Sequence, residues 1–192
     1  MKKIAVFASG SGSNFEALIE AVDEGRLDAD IALLVCDRQG AGVIERAEHH
    51  RIPTFIFSAK HYDSKADFER EIIDNLNSQG VEFIVLAGYM RLIGDTLLSE
   101  FGGHIVNIHP SLLPSFPGKD AVEQALEAGV KVSGVTIHYV DEGMDTGEII
   151  AQQAVPVLDD DDHDRLQHRI QEVEHELYPA TVGQLLSKTS TN

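Results

Sequence analysis

His104-Ile105-Val106-Asn107-Ile108-His109-Pro110-Ser111-Leu112-Leu113-Pro114 begins as a strand and ends as a stiff loop. Its first residues are β-branched and apolar with polar residues at alternate places, which is the pattern of a strand. Pro110 has no N–H for a sheet ladder, so the strand is expected to stop at His109. Asn107 and His109 are then two apart and share a face at the strand's carboxyl end. In open α/β sheets ligands bind outside that end. A carboxamide and an imidazole side by side can donate hydrogen bonds to one developing oxyanion, and the imidazole can also move a proton. Polar residues also cap ordinary turns. The two prolines around Leu112 and Leu113 make the loop stiff enough to fix a catalytic pair.

Outward from this stretch, strand and helix alternate. Strands are expected at Lys3–Ala8, Ile31–Cys36, Pro53–Phe57 and Glu82–Ala87, almost wholly apolar as buried parallel strands are. Helices are expected at Ala41–His50, Ala66–Ser78, Thr96–Phe101 and Lys119–Ala128. Another follows the Ser9-Gly10-Ser11-Gly12-Ser13-Asn14 turn, with Phe15, Leu18, Ile19 and Val22 at helical spacing. Val130–Val140 then alternates, and Ile149–Val157 forms a second strand beyond the loop Asp141–Gly147. That pair suggests an antiparallel hairpin at the sheet edge. A last helix runs from about Asp161 to Leu186, leaving Ser187–Asn192 as a frayed tail. The expected architecture is α/β and Rossmann-like: one domain over residues 1–192, with a mostly parallel twisted sheet of about seven strands, helices on both faces and a C-terminal antiparallel hairpin.

The glycine-serine turn between the first strand and helix can cradle a phosphate, because free amides and the helix dipole point outward there. It could imitate a dinucleotide fingerprint, with Asp37 as the ribose-binding acid, but Phe15 stands where a third glycine belongs. A plain helix-capping turn is the structural alternative.

The chain has 192 residues, 43% apolar and 24% charged, an ordinary globular mixture. A formal net charge of −17 argues against nucleic acid as a partner. The lone Cys36 lies in an apolar run and cannot pair internally, as expected of a reducing compartment. No apolar run is long enough for a signal peptide or a membrane span, so the expected location is cytoplasmic, with no membrane partner. The nine histidines form no ligand-spaced cluster, so no metal is expected.

Asn107-Ile108-His109-Pro110-Ser111-Leu112-Leu113-Pro114 resembles the signature of the folate-dependent formyltransferases, and the similarity extends along nearly the whole chain. The resemblance implies transfer of a formyl group from 10-formyltetrahydrofolate, as co-substrate, to the amine of glycinamide ribonucleotide in purine synthesis, by a monomer or homodimer. It implies catalytic roles for Asn107, His109 and Asp145, the last in the matching Asp-x-Gly-x-Asp-x-Gly loop and paired with the histidine. A carboxylate beside an imidazole favours its charged form. Without the resemblance Asp145 reads as a loop acid between Gly143 and Gly147, where the backbone can take unusual conformations.

Carried over position by position, Gly12, Ser13 and Asn14 resemble the substrate-phosphate site, and Glu174 an acid that contacts the ribonucleotide. Met90, Arg91, Leu92 and Ile93 resemble the pterin segment, where main-chain groups read the ring. Lys65 stands where relatives often have arginine, near the acidic tail of the folate; it keeps the charge and loses the bidentate fork. Val140 and Asp141 are expected to line the same folate site. Lys119-Asp120 departs from relatives that carry histidine there. Formyltetrahydrofolate deformylase shares the Asn, His and Asp but usually adds an N-terminal domain, and methionyl-tRNA formyltransferase adds a C-terminal one. A nucleotide-binding module would explain the glycine turn but not the three polar residues together.

Overall fold

The computed structural model describes residues 1–189. Seven strands form one sheet in the order β3-β2-β1-β4-β5-β6-β7. They are β1 (Lys2–Ala8), β2 (Ala29–Cys36), β3 (Thr54–Ile56), β4 (Phe83–Leu86), β5 (Ile105–His109), β6 (Val132–Tyr139) and β7 (Ile149–Pro156). The first five run parallel; β6 is antiparallel to β5, and β7 to β6. The expected mostly parallel sheet with a closing antiparallel pair is what forms. The order reverses direction between β1 and β4, and such a switch point opens a crevice at the strands' carboxyl ends.

Six α-helices cover the sheet: α1 (Ser13–Asp23), α2 (Gly42–His49), α3 (Lys65–Ser78), α4 (Asp95–Phe101), α5 (Ala121–Ala128) and α6 (His163–Lys188). Strand alternation sorts them into two cores. One face of the sheet (Ile4, Val6, Val106, Ile108, Val135 and Ile137) packs under α1, α2, α5 and α6. The other (Ala5, Phe7, Ile84, Leu86 and Ile105) packs under α3 and α4. Along β5 this second cover reaches Ile105 only, so Asn107 and His109, two and four residues further on the same face, meet a cleft instead of a helix.

The expected boundaries hold to within a few residues, and the differences have local causes. Asp120 takes a left-handed conformation (φ 55°), so α5 starts at Ala121 and Lys119-Asp120 stays in the loop. The acidic run before α6 precedes the helix, and Asp162 caps it by accepting the Arg165 N–H at 2.8 Å. Ser187 and Lys188 continue α6, whereas residues 190–192 of the expected tail lie outside the described residues. A short 3-10 turn at Ala59–His61 had no signal in the apolar spacing. Tyr178 of α6 is fully buried, and its hydroxyl donates to the carbonyls of Leu86 (2.6 Å) and Val106 (3.3 Å). This fastens α6 to the ends of β4 and β5 and sets Glu174, one turn earlier, over the cleft.

Candidate active site

A cleft of about 670 Å³ lies over the ends of β1, β4 and β5. One wall is the glycine turn. Gly12 has φ 81°, a conformation that admits glycine at no steric cost, and a Cβ there would sit 2.6 Å from Val43 Cγ2. Gly12 is also the N-cap of α1, and its carbonyl accepts the Glu16 N–H at 2.9 Å. Among the described residues the N–H groups of Ser13, Asn14 and Phe15 have no protein partner, which is the state of a first helical turn open to an anion.

Glu174 closes this wall. Its side chain is buried and accepts a hydrogen bond from Asn14 Nδ2 at 3.2 Å. Burial pushes its carboxyl up to about 7, and the Asn14 hydrogen bond offsets only part of that. Asn14 Oδ1 is buried without a protein partner.

The dinucleotide alternative fails on Asp37. Its carboxylate accepts the Ser9 hydroxyl at 2.5 Å and Arg91 Nε at 2.8 Å, and it does not border the cleft where a ribose would lie.

The second wall is the irregular segment between β4 and α4. Met90, Arg91, Leu92 and Ile93 all border the cleft, with Met90 and Leu92 exposed and Ile93 buried in the α3–α4 core. The N–H groups of Arg91 and Leu92 and the Met90 carbonyl have no protein partner among the described residues. An unpaired main-chain edge beside an apolar side chain suits a planar heterocycle. Val140 borders the cleft too. Lys65 and Asp141 do not. The Lys65 ammonium donates to the Leu92 carbonyl at 2.9 Å. Asp141 accepts from Thr146 Oγ1 (2.6 Å) and the Gly143 N–H (3.0 Å), inside its own loop.

At the floor, Asn107, His109 and Asp145 come together. Asp145 Oδ2 lies 3.5 Å from His109 Nδ1, an ion-pair distance longer than a well-formed N–H···O bond. Asp145 has φ 55°, a strained setting for a non-glycine residue, and its Oδ2 accepts the Gly118 N–H at 2.8 Å. Burial alone would raise its pKa, but His138, the Gly118 N–H and His109 together outweigh that and hold it below the usual carboxylate value. His109 Nε2 donates to the Phe116 carbonyl at 2.8 Å, so both ring nitrogens face acceptors. The flanking glycines serve close packing: neither Gly143 nor Gly147 has a positive φ, and a Cβ on Gly147 would collide with the Tyr139 carbonyl.

Sequence reasoning missed His138. It pairs across the sheet with Asn107, is 2% exposed, and lies 3.7 Å from Asp145 Oδ1. Its Nδ1 donates to the Tyr139 carbonyl at 2.8 Å, and its Nε2 lies between Asn107 Nδ2, at 3.4 Å, and the Asp145 carboxylate. The strand alternation held the clue: Val135, Ile137 and Tyr139 point to one face, so Thr136 and His138 point to the other. Arg38 and Lys119 also border the cleft and supply cations in an acidic chain. Among the described residues no group of three His, Cys, Asp or Glu side chains is placed to hold a metal ion, and no helix is long and apolar enough to cross a membrane.

Comparison with known proteins places this geometry. Residues 2–182 match the formyl transferase family. The chain is 60% identical over 186 residues to phosphoribosylglycinamide formyltransferase of Bacillus subtilis strain 168, covering 97% of this chain and 95% of that one. It is 44% identical over 191 residues to the trifunctional purine biosynthetic protein adenosine-3 of Drosophila melanogaster, covering 98% of this chain and 14% of that longer protein. Among solved structures it superposes on phosphoribosylglycinamide formyltransferase from Bacillus halodurans with TM-score 0.95 and 55% identity, over 98% of this chain and 97% of that one. Glycinamide ribonucleotide transformylase 1 from Geobacillus kaustophilus gives TM-score 0.95 and 60% identity, over 97% of this chain and 99% of that one.

Proposed function

The chain belongs to the formyl transferase family, and from that premise we propose that it moves the formyl group of 10-formyltetrahydrofolate to the amine of glycinamide ribonucleotide. The observation that carries this is the meeting of Asn107, His109 and Asp145, distant in sequence, on one open floor between an anion-ready helix terminus and an unpaired main-chain edge.

The ribonucleotide phosphate sits on the amides of Ser13, Asn14 and Phe15, and its ribose lies toward Glu174. The pterin lies along Met90–Ile93 and Val140. The substrate amine attacks the formyl carbon, forming the new C–N bond and a tetrahedral intermediate with an oxyanion. Asn107 Nδ2, beside His138 on the floor, donates to that oxygen. A donor placed so is worth roughly 10²–10³ in rate. His109 stabilises the same charge and passes a proton to the departing folate nitrogen, while the proton shed by the attacking amine returns to the imidazole, directly or through water. Its Nε2 is engaged with the Phe116 carbonyl, so delivery from that atom requires this hydrogen bond to yield to substrate. Asp145 stays ionised and holds the imidazole. Collapse breaks the bond to the folate and releases tetrahydrofolate. The nucleophile belongs to the substrate, so the buried Cys36 has no part in it. A buried free thiol also fits a reducing cytoplasm.

The test is incubation with 10-formyltetrahydrofolate, with and without glycinamide ribonucleotide. Tetrahydrofolate released only when the amine is present is the expected result. Release in water alone indicates hydrolysis, and no release with either overturns the assignment.

A further inference from the structure

Asp37 is half-buried and absent from the cleft, yet it holds Arg91, which borders the cleft, and Ser9, which holds Met90 there. Its side chain is 8% exposed. Oδ1 accepts the Ser9 hydroxyl proton at 2.5 Å and Oδ2 accepts from Arg91 Nε at 2.8 Å. With its single proton committed, the Ser9 oxygen turns a lone pair to the Met90 N–H and accepts it at 3.0 Å. Arg91 is held from a second side, its guanidinium carbon 5.8 Å from the centre of the Phe68 ring. The end of β2 therefore fixes the backbone at Met90 and Arg91, the residues with the unpaired groups facing the cleft. Neither Asp37 nor Ser9 borders the cleft itself.

We infer that Asp37 is a positioning residue for the formyl-donor wall, acting through Ser9 and Arg91 on the Met90–Leu92 backbone. This rests on the assignment of that wall to the folate. A carboxylate is needed because it accepts on both oxygens. In Asp37→Asn, an NH₂ turned to the Arg91 guanidinium breaks that link, and an NH₂ turned to Ser9 reverses that hydrogen bond and frees the hydroxyl proton that held Ser9 in place; in either setting the charge that faced Arg91 is gone. The segment has no regular secondary structure of its own to keep its place.

Calorimetric titration with tetrahydrofolate, and separately with glycinamide ribonucleotide, tests this on the wild type, Asp37→Asn, Ser9→Ala and the double variant. Each single variant is expected to bind tetrahydrofolate about tenfold more weakly, with ribonucleotide affinity unchanged and Tm lower by only a few degrees. The double variant should fall by less than the product of the two single losses, because Ser9 and Asp37 share one hydrogen-bond network. A wild type that binds tetrahydrofolate beside an Asp37→Asn protein that binds it equally well overturns the assignment of Asp37. Equal losses for both ligands also overturn it, since that is general loosening. A wild type that does not bind tetrahydrofolate overturns the functional assignment and this one with it.

Discussion

Strands β1 and β5 end on the same cleft and bring it opposite kinds of group. β1 leads into Gly10–Asn14, whose contribution is main-chain N–H and a helix terminus. β5 delivers side chains, Asn107 and His109, from a face that α3 and α4 leave uncovered beyond Ile105. The first wall should hold a ligand and the second should change it. Main-chain sites depend on backbone conformation and are damaged by added bulk. Side-chain sites depend on particular atoms and are damaged by their removal.

The largest effect should follow on the β5 side. His109→Ala removes a proton-carrying group, and kcat should fall by about 10²- to 10⁴-fold with native circular dichroism retained. Asp145→Asn keeps the shape and the Gly118 contact but loses the charge beside two imidazoles, so it should fall in the same direction. Steady-state kinetics with saturating substrates checks both. If the floor only binds, KM would rise and kcat would hold.

On the β1 side the order reverses. Gly12→Val places a branched side chain at φ 81° against Val43, which is fully buried and cannot step aside. The helix terminus should shift, and KM for the ribonucleotide should rise by about 100-fold while kcat falls far less. Equal loss in both constants would show that the turn also shapes the reacting floor.

The same contrast explains how much could be read from the sequence. Proline-ended β5, with Asn107 and His109 at strand spacing, announced both the fold and half the floor, because side-chain chemistry is written in residue letters. Parallel strands announced themselves as apolar runs. Asp145 needed the resemblance, since loop geometry has no periodicity, and its left-handed backbone has no signature in an aspartate. His138 was missed because its importance comes from cross-strand register with Asn107, which exists only once β6 is paired. Asp37 was weighed for the wrong task. Its letter fits a ribose contact, and only the folded chain shows that its carboxylate, outside the cleft lining, holds Ser9 and Arg91.

Glu174 belongs to the first wall and offers a milder test through pH. Its folded value of about 7 lies above the ordinary 4.5. Below the ordinary value the carboxyl is protonated in both states, and its stabilising effect is complete. As pH rises through the folded value the buried group must ionise, and that stability is lost, up to roughly 3 kcal/mol. Glu174→Gln should therefore flatten the decline in Tm between about pH 4.5 and 7 and be the more stable protein above it. Thermal unfolding of the ligand-free protein across that range checks the sign. A parallel pH dependence in both proteins would mean that the carboxyl is solvated after all.

Lys65 gives the smallest effect and separates two ways of serving the cleft. The resemblance puts its charge near the acidic tail of the folate. The structure puts its ammonium 2.9 Å from the Leu92 carbonyl and outside the lining of the cleft. One hydrogen bond from an exposed lysine is worth about 0.5–1.5 kcal/mol, so Lys65→Met should raise KM for the donor only about two- to tenfold. The two roles part when the tail is removed. A lysine that meets the tail matters for 10-formyltetrahydrofolate and not for the 10-formyl derivative of tetrahydropteroate, which lacks the glutamate. A lysine that braces Leu92 matters equally for both, because the bracing acts on the pterin edge. The expected result is an equal loss for the two donors, together with weaker salt dependence than a charge–charge contact would give. A loss confined to the tailed donor would return Lys65 to direct contact and leave the wall braced by Ser9 and Glu69, whose carboxylate accepts the Gly94 N–H at 2.8 Å.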